Sequence, residues 1–93
     1  MKILWTDEAR FQISAIRDYI AKDSVKNANL FVKRLLSAPN RLIRHPDSGR
    51  IIPELKNPGK REIILGHYRI MYFVENDTIF ITQVRHDARL FDR

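Results

Sequence analysis

The sequence predicts an α+β domain in which an N-terminal strand and a two-helix hairpin pack on a C-terminal antiparallel sheet. Two patterns carry the prediction. Between residues 9 and 43 the apolar side chains recur at spacings of three and four, the period of one helix face. Between residues 61 and 86 they alternate, with two clusters of turn-forming residues between the runs. The length, 93 residues without a cysteine, allows one core and no disulfide framework, so a single domain over residues 1–93 must hold by packing alone.

Met1 to Trp5 is short and apolar and ends at a capping signal, which suits a first strand. Thr6 can cap a helix whose first turn holds Asp7 and Glu8, where the helix dipole favours negative charge. Ala9, Ile13, Ile16 and Ile20 then form one narrow stripe, flanked by Gln12 and Tyr19. Phe11 falls off that stripe and either meets a second helix or is left for a partner to cover.

Ser24 offers the second cap. Ala28, Phe31, Val32, Leu35, Leu36, Leu42 and Ile43 keep helical spacing, with Lys26, Lys33, Arg41 and Arg44 on the opposite side. Pro39 lacks an N–H for the carbonyl four residues back, so this helix should kink or restart between Leu36 and Asn40, and His45-Pro46 should end it. Residues 46–60 hold three prolines and two glycines, which predicts a connector with at most a short strand near Arg50 to Ile52.

The remaining strands are expected at Arg61 to Leu65, Tyr68 to Val74 and Thr78 to His86. Two-residue turns would pair Leu65 with Tyr68 and Glu75 with Thr78. One face would then carry Ile63, Leu65, Tyr68, Ile70, Tyr72, Val74, Ile79 and Ile81, apolar enough to receive the helices. The other would carry Glu62, Ile64, Arg69, Met71, Phe73, Phe80, Thr82, Val84 and His86, with Arg69 opposite Val84. A charged group in mid-strand needs a reason: an Arg-Glu cross-strand pair is one, and an anion-binding sheet surface is the other.

Composition narrows the function. With 44% hydrophobic and 30% charged residues the chain is neither disordered nor fibrous. No apolar run approaches the ~20 residues of a membrane span, and Thr6-Asp7-Glu8 interrupts any signal-peptide core, so no membrane association and a cytoplasmic location are expected. Zero cysteines and three scattered histidines make a metal site or cofactor improbable. His45 and His67 read as a helix terminator and a turn residue, and Trp5 and Phe73 as core in preference to base-stacking platforms.

The net charge is +6, and 11 of the 17 cations are arginine, which favours an acidic partner. The surplus is uneven. Between Ser24 and Arg69 ten cations face only Asp47, Glu54 and Glu62, so an electropositive face should come from the middle of the chain.

These residues resemble the RelE/ParE superfamily of bacterial toxins, the stable halves of type II (plasmid-stabilising) toxin-antitoxin modules. The likeness runs over nearly the whole chain. It comprises Trp5 with Thr6-Asp7-Glu8-Ala9, then Asp18-Tyr19-Ile20-Ala21, His45-Pro46, Gly49-Arg50 and Pro53-Glu54-Leu55. It continues through Arg61-Glu62 and Tyr68-Arg69-Ile70-Met71-Tyr72 to the ending Val84-Arg85-His86-Asp87-Ala88-Arg89. Each element is short; the ordered set is specific. It implies a strand, two antiparallel helices and a curled sheet with a basic face, neutralised by a small acidic antitoxin. Phe11, with Arg10 and Arg17 on the same helix, is the contact expected for that partner.

The superfamily divides between members that cut messenger RNA on the ribosome and members that act on DNA gyrase. Metal-free RNA cleavage needs proton-transfer groups and cations for the phosphate. By resemblance these would be His86 or Glu54 and Arg61, Arg69 and Arg85. The ending His86-Asp87-Ala88-Arg89 is closer to the gyrase branch, and Phe91 stands where potent RNA-cutting members tend to carry tyrosine. In the gyrase branch Arg61, Arg69, Arg85, His86 and Arg89 would form a target-binding surface. An inactive relative that still binds antitoxin is the third reading. The expectation common to the first two is that Arg69 and His86 stand together on one open sheet face.

Overall fold

A computed structural model of the chain describes residues 1–86. Its elements in order are β1 (Lys2–Trp5), α1 (Asp7–Ala21), α2 (Val25–Ser37), a 3-10 helix (Ala38–Ile43), β2 (Arg50–Ile51), β3 (Lys60–Leu65), β4 (Tyr68–Glu75) and β5 (Thr78–His86). The strands form one sheet in the order β1-β5-β4-β3-β2. The α+β class and the helical hairpin are as expected. The sheet is mixed, because β1 lies parallel to β5 at its edge while β2 to β5 pair antiparallel.

Both predicted caps form. The Thr6 hydroxyl accepts from Ala9 N, and the Ser24 hydroxyl accepts from Asn27 N. The Thr6 side chain also donates to Ile81 O at 2.9 Å, which ties the start of α1 to β5. At Pro39 the second helix gives way to the 3-10 helix, as the missing N–H requires. No helix of the described residues is long and apolar enough to cross a membrane.

The helices cover one face of the sheet. Ala9 and Ile13 of α1, Leu35 of α2 and Leu42 pack against Ile63, Ile70, Tyr72, Ile79, Ile81 and Val84. Trp5 joins this core from its edge. Phe11 does not meet the second helix: it is 74% exposed.

Both hairpin turns have two residues, and Leu65 pairs with Tyr68 and Glu75 with Thr78 as expected. Gly66, Asn76 and Asp77 take the positive φ that such turns demand. The register then shifts. Met71 pairs with Gln83 but Tyr72 pairs with Ile81, so Thr82 is an extra residue, a β-bulge. Everything beyond it changes sides relative to the expected alternation. Arg69 lies opposite Arg85, not Val84; Val84 pairs with Ile70 in the core, and His86 pairs with Tyr68 on the helix side.

The 46–49 segment is pinned through Tyr72. Its hydroxyl donates to Pro46 O at 2.7 Å and accepts from Gly49 N at 3.0 Å. Burial raises the Tyr72 pKa and keeps the hydroxyl a donor. A Cβ at Gly49 would stand 2.6 Å from that hydroxyl and 2.7 Å from Glu62 O. Gly49→Ala is therefore expected to cost about 1–3 kcal/mol by overpacking, read as a lower midpoint of urea unfolding with an unchanged slope.

Candidate functional site

The face of the sheet away from the helices is organised around Arg69. The alternation of β4 places this side chain with Met71 and Phe73 on that face, where its register partners Ile64 and Arg85 flank it. It is fully buried and heavily bonded. Its Nε donates to Glu62 Oε1 at 2.6 Å, and its two terminal nitrogens donate to Glu54 at 2.8 and 2.7 Å in a bidentate fork. Glu62, itself buried, accepts at its other oxygen from Arg50 Nε at 2.6 Å.

The cluster is thus a chain of alternating charge, Arg50–Glu62–Arg69–Glu54, joining β2, β3, β4 and the connector. Hydrogen bonding from Arg69 holds the Glu54 carboxyl well below the usual range, at about 2. The same bonds raise the Arg69 guanidinium further above its ordinary value. Neither group can exchange a proton near neutral pH, and the Arg69 charge is already met by two carboxylates. The lowered pKa makes Glu54 a weak base, and three of the five Arg69 N–H donors are already given to carboxylates in a fully buried side chain.

His86 stands on the opposite side of the sheet, which overturns the expectation that it shares a face with Arg69. The cause is the bulge at Thr82. The His86 ring meets Tyr68 edge-on at 5.0 Å and lies nearly parallel to His67 at 6.0 Å. Its Nδ1 is shielded and has no hydrogen-bond partner among the described residues. With Ala15, Ile16, Tyr19, Tyr68 and Val84 it lines an open groove of about 410 Å³ between α1 and the end of β5.

The other expected residues scatter. Arg61 is on the helix side, as the alternation implied, and donates to Gly49 O at 2.9 Å and Asp47 O at 3.4 Å. Arg85 is exposed beside Arg69 and donates to Gln83 Oε1 at 3.0 Å. Arg89 and Phe91 lie outside the described residues. The structure brings Glu54, Arg69 and Arg85 together but brings neither His86 nor Arg61 to them. Among the described residues no three His, Asp or Glu side chains gather as a metal ion would need.

On α1, Arg10 and Phe11 are exposed, while Arg17 is partly buried and donates from Nε to Asn29 Oδ1 at 3.2 Å. Tyr19 is also largely exposed, at 69%. Phe11, Ala15 and Tyr19, each four residues apart, make an uncovered stripe that the core-directed reading of α1 missed, although the spacing was there to see.

Two outcomes test the cluster. Arg69→Ala leaves the Glu62 carboxylate buried with one partner, a loss of about 3–5 kcal/mol against the ~5–15 kcal/mol a domain has; circular dichroism should show the melting temperature lowered by more than about 10 °C. Because the folded Glu54 carboxyl titrates at about 2 against an ordinary 4.5, its contribution is complete above pH 4.5 and vanishes as pH falls toward 2. Glu54→Gln should lower the melting temperature at pH 7 and flatten its fall across that acid window.

The family model described as the ParE toxin of type II toxin-antitoxin systems, parDE, matches residues 3–91. A protein of Caulobacter vibrioides, Toxin RelE2, is 34% identical over 90 residues, 96% of this chain and 98% of that one. The fold is similar to a chain of the chromosomal ParDE system of P. aeruginosa, with TM-score 0.77 and 22% identity over 92% of this chain and 95% of that chain. It is also similar to a chain of the RelBE2 toxin-antitoxin complex of Mycobacterium tuberculosis, with TM-score 0.56 and 18% identity over 91% and 95%. With a sequence match running almost from end to end, this chain belongs to the RelE/ParE superfamily, as a ParE-family toxin of a type II toxin-antitoxin system.

Proposed function

We propose that this toxin acts in the cytoplasm by binding DNA gyrase, makes and breaks no covalent bond itself, and is neutralised by a small acidic antitoxin. The observation that carries the reading is the Arg50–Glu62–Arg69–Glu54 chain, buried at Glu62 and Arg69, on the face opposite His86. Cleavage of RNA needs a proton-transfer group beside cations able to take a phosphate. Here the imidazole and the guanidinium are separated by the sheet, and the guanidinium is buried and bonded to two carboxylates. The match to the ParE family model leans the same way.

An antitoxin partner is supported by the two structural neighbours, both from toxin-antitoxin systems. Its docking surface on this chain is the Phe11–Ala15–Tyr19 stripe with the adjoining groove at Tyr68 and His86. Arg10, exposed beside Phe11, supplies a cation for an acidic segment, and Arg17 borders the stripe. A disordered segment that folds on binding needs such apolar anchors together with charge complementarity.

Purified toxin is expected to trap gyrase-DNA cleavage complexes and to leave ribosome-bound messenger RNA intact. His86→Gln should arrest growth as the wild-type chain does. Cut messenger RNA with wild-type toxin, lost in His86→Gln at an unchanged melting temperature, would establish the ribosome-dependent nuclease reading instead.

A further inference from the structure

On the sheet face away from the helices, one residue from each of four adjacent strands stands in a single row. Leu4 of β1 pairs with Phe80 of β5, Phe80 with Phe73 of β4, and Phe73 with Lys60 of β3. The two rings are 16° from parallel with centroids 5.0 Å apart, and Lys60 Nζ lies 5.2 Å from the Phe73 centroid. Leu4 is 44% exposed, Lys60 is exposed, and both rings are half-buried. Phe73 is therefore not the core residue its sequence context suggested. Next to the row, Leu55 is exposed in the connector, with shallow hollows of about 190 and 170 Å³ that both reach Met71 and Gln83.

We propose that this sheet face, against which no described helix packs, docks the toxin's protein target, and that the occupant is an apolar protein surface edged with carboxylates. The proposal rests on the reading that the chain acts by binding. Three observations select the occupant. A nucleobase stacks on an open ring face, but Phe73 has Phe80 on one side and Lys60 on the other, and Phe80 lies between Phe73 and Leu4. The row offers ring edges and a methyl-bearing end, which suit an apolar protein contact.

The charges also select. Among the described residues Lys2, Lys60 and Arg85 project on this face against Glu75, while Arg50, Glu62, Arg69 and Glu54 are bonded to one another within the cluster. The surplus attracts an acidic rim and opposes a second copy of the same face. Lastly, the Phe11–Tyr19 stripe lies on the helices, on the other side of the molecule. Antitoxin and target would thus have separate primary surfaces, so an antitoxin must reach around the domain or block the target by bulk.

The test uses Lys60→Glu and Leu4→Glu, two exposed positions outside the core and outside the Arg69 cluster, with Lys60→Met as a variant that keeps the aliphatic stem. Each is expressed alone in cells, and the purified proteins are melted and titrated with a single-stranded RNA oligonucleotide. The expected result is growth arrest weakened about tenfold or more by both glutamate variants, as for loss of a hot-spot contact. Lys60→Met should fall between them and the wild type, with melting temperatures within about 2 °C of it and RNA binding unchanged. Undiminished arrest by both glutamate variants, or no arrest by the wild-type chain, overturns the proposal. So does a fall in RNA affinity that parallels the loss of arrest, which assigns the face to nucleic acid. Weakened arrest by the variants of a wild-type toxin that traps no gyrase supports the docking face and counts against gyrase alone.

Discussion

A guanidinium buried with no solvent contact is the constraint to which the rest of the sheet answers. Arg69 sits in the middle of a central strand, and taking its charge out of water would cost several kcal/mol if nothing met it. Two carboxylates meet it, one from the neighbouring strand and one from the connector, and Arg50 in turn meets the second oxygen of Glu62. The connector between β2 and β3 is rich in proline and glycine and has little regular structure of its own. The fork from Arg69 to Glu54 holds it against the sheet, and the Tyr72 hydroxyl holds Pro46 and Gly49 of the segment before β2 in the same way. A polar network of this kind fixes one arrangement of the connector, because any other leaves a buried charge unmet.

The same network decides what the face can do. A residue that resemblance places among phosphate-binding cations is here an internal strut, and its carboxylate partner is held ionised far below neutral pH. What the face offers to a visitor is the row of Leu4, Phe80, Phe73 and Lys60, the exposed Leu55 and a rim of cations. Such a surface recognises by fit and charge. The helical side, with Phe11, Tyr19 and the groove at His86, is a second and separate apolar surface.

Most of the fold was legible because its signals are local. Thr6 and Ser24 announce caps, Pro39 breaks a helix that would otherwise run on, and Gly66 and Asn76-Asp77 permit the turn geometry that sets two registers. The site was less so, because its geometry turns on one extra residue. From Ile79 to Ile81 the core positions fall two apart, but from Ile81 to Val84 the step is three, with Thr82 and Gln83 both polar between them. That interruption is the trace of the bulge, and reading the run as unbroken alternation put Val84 and His86 on the wrong face. The Arg-Glu pairing of Arg69 with Glu62 was visible as a cross-strand neighbour. The bidentate partner Glu54 was not, since a connector's path over a sheet leaves no periodic signature. Phe73 looked like core for want of any sign that the two described helices pack on only one face of the sheet.

The central claim, that Arg69 is a buried structural ion bonded to Glu62 and Glu54, is tested most directly by NMR of the arginine Nε–H groups. At neutral pH the account predicts one strongly hydrogen-bonded, slowly exchanging Nε–H assigned to Arg69, unmoved by a single-stranded RNA oligonucleotide. An Arg69 Nε–H that exchanges as fast as those of exposed arginines, or that shifts as the oligonucleotide is added, would contradict it.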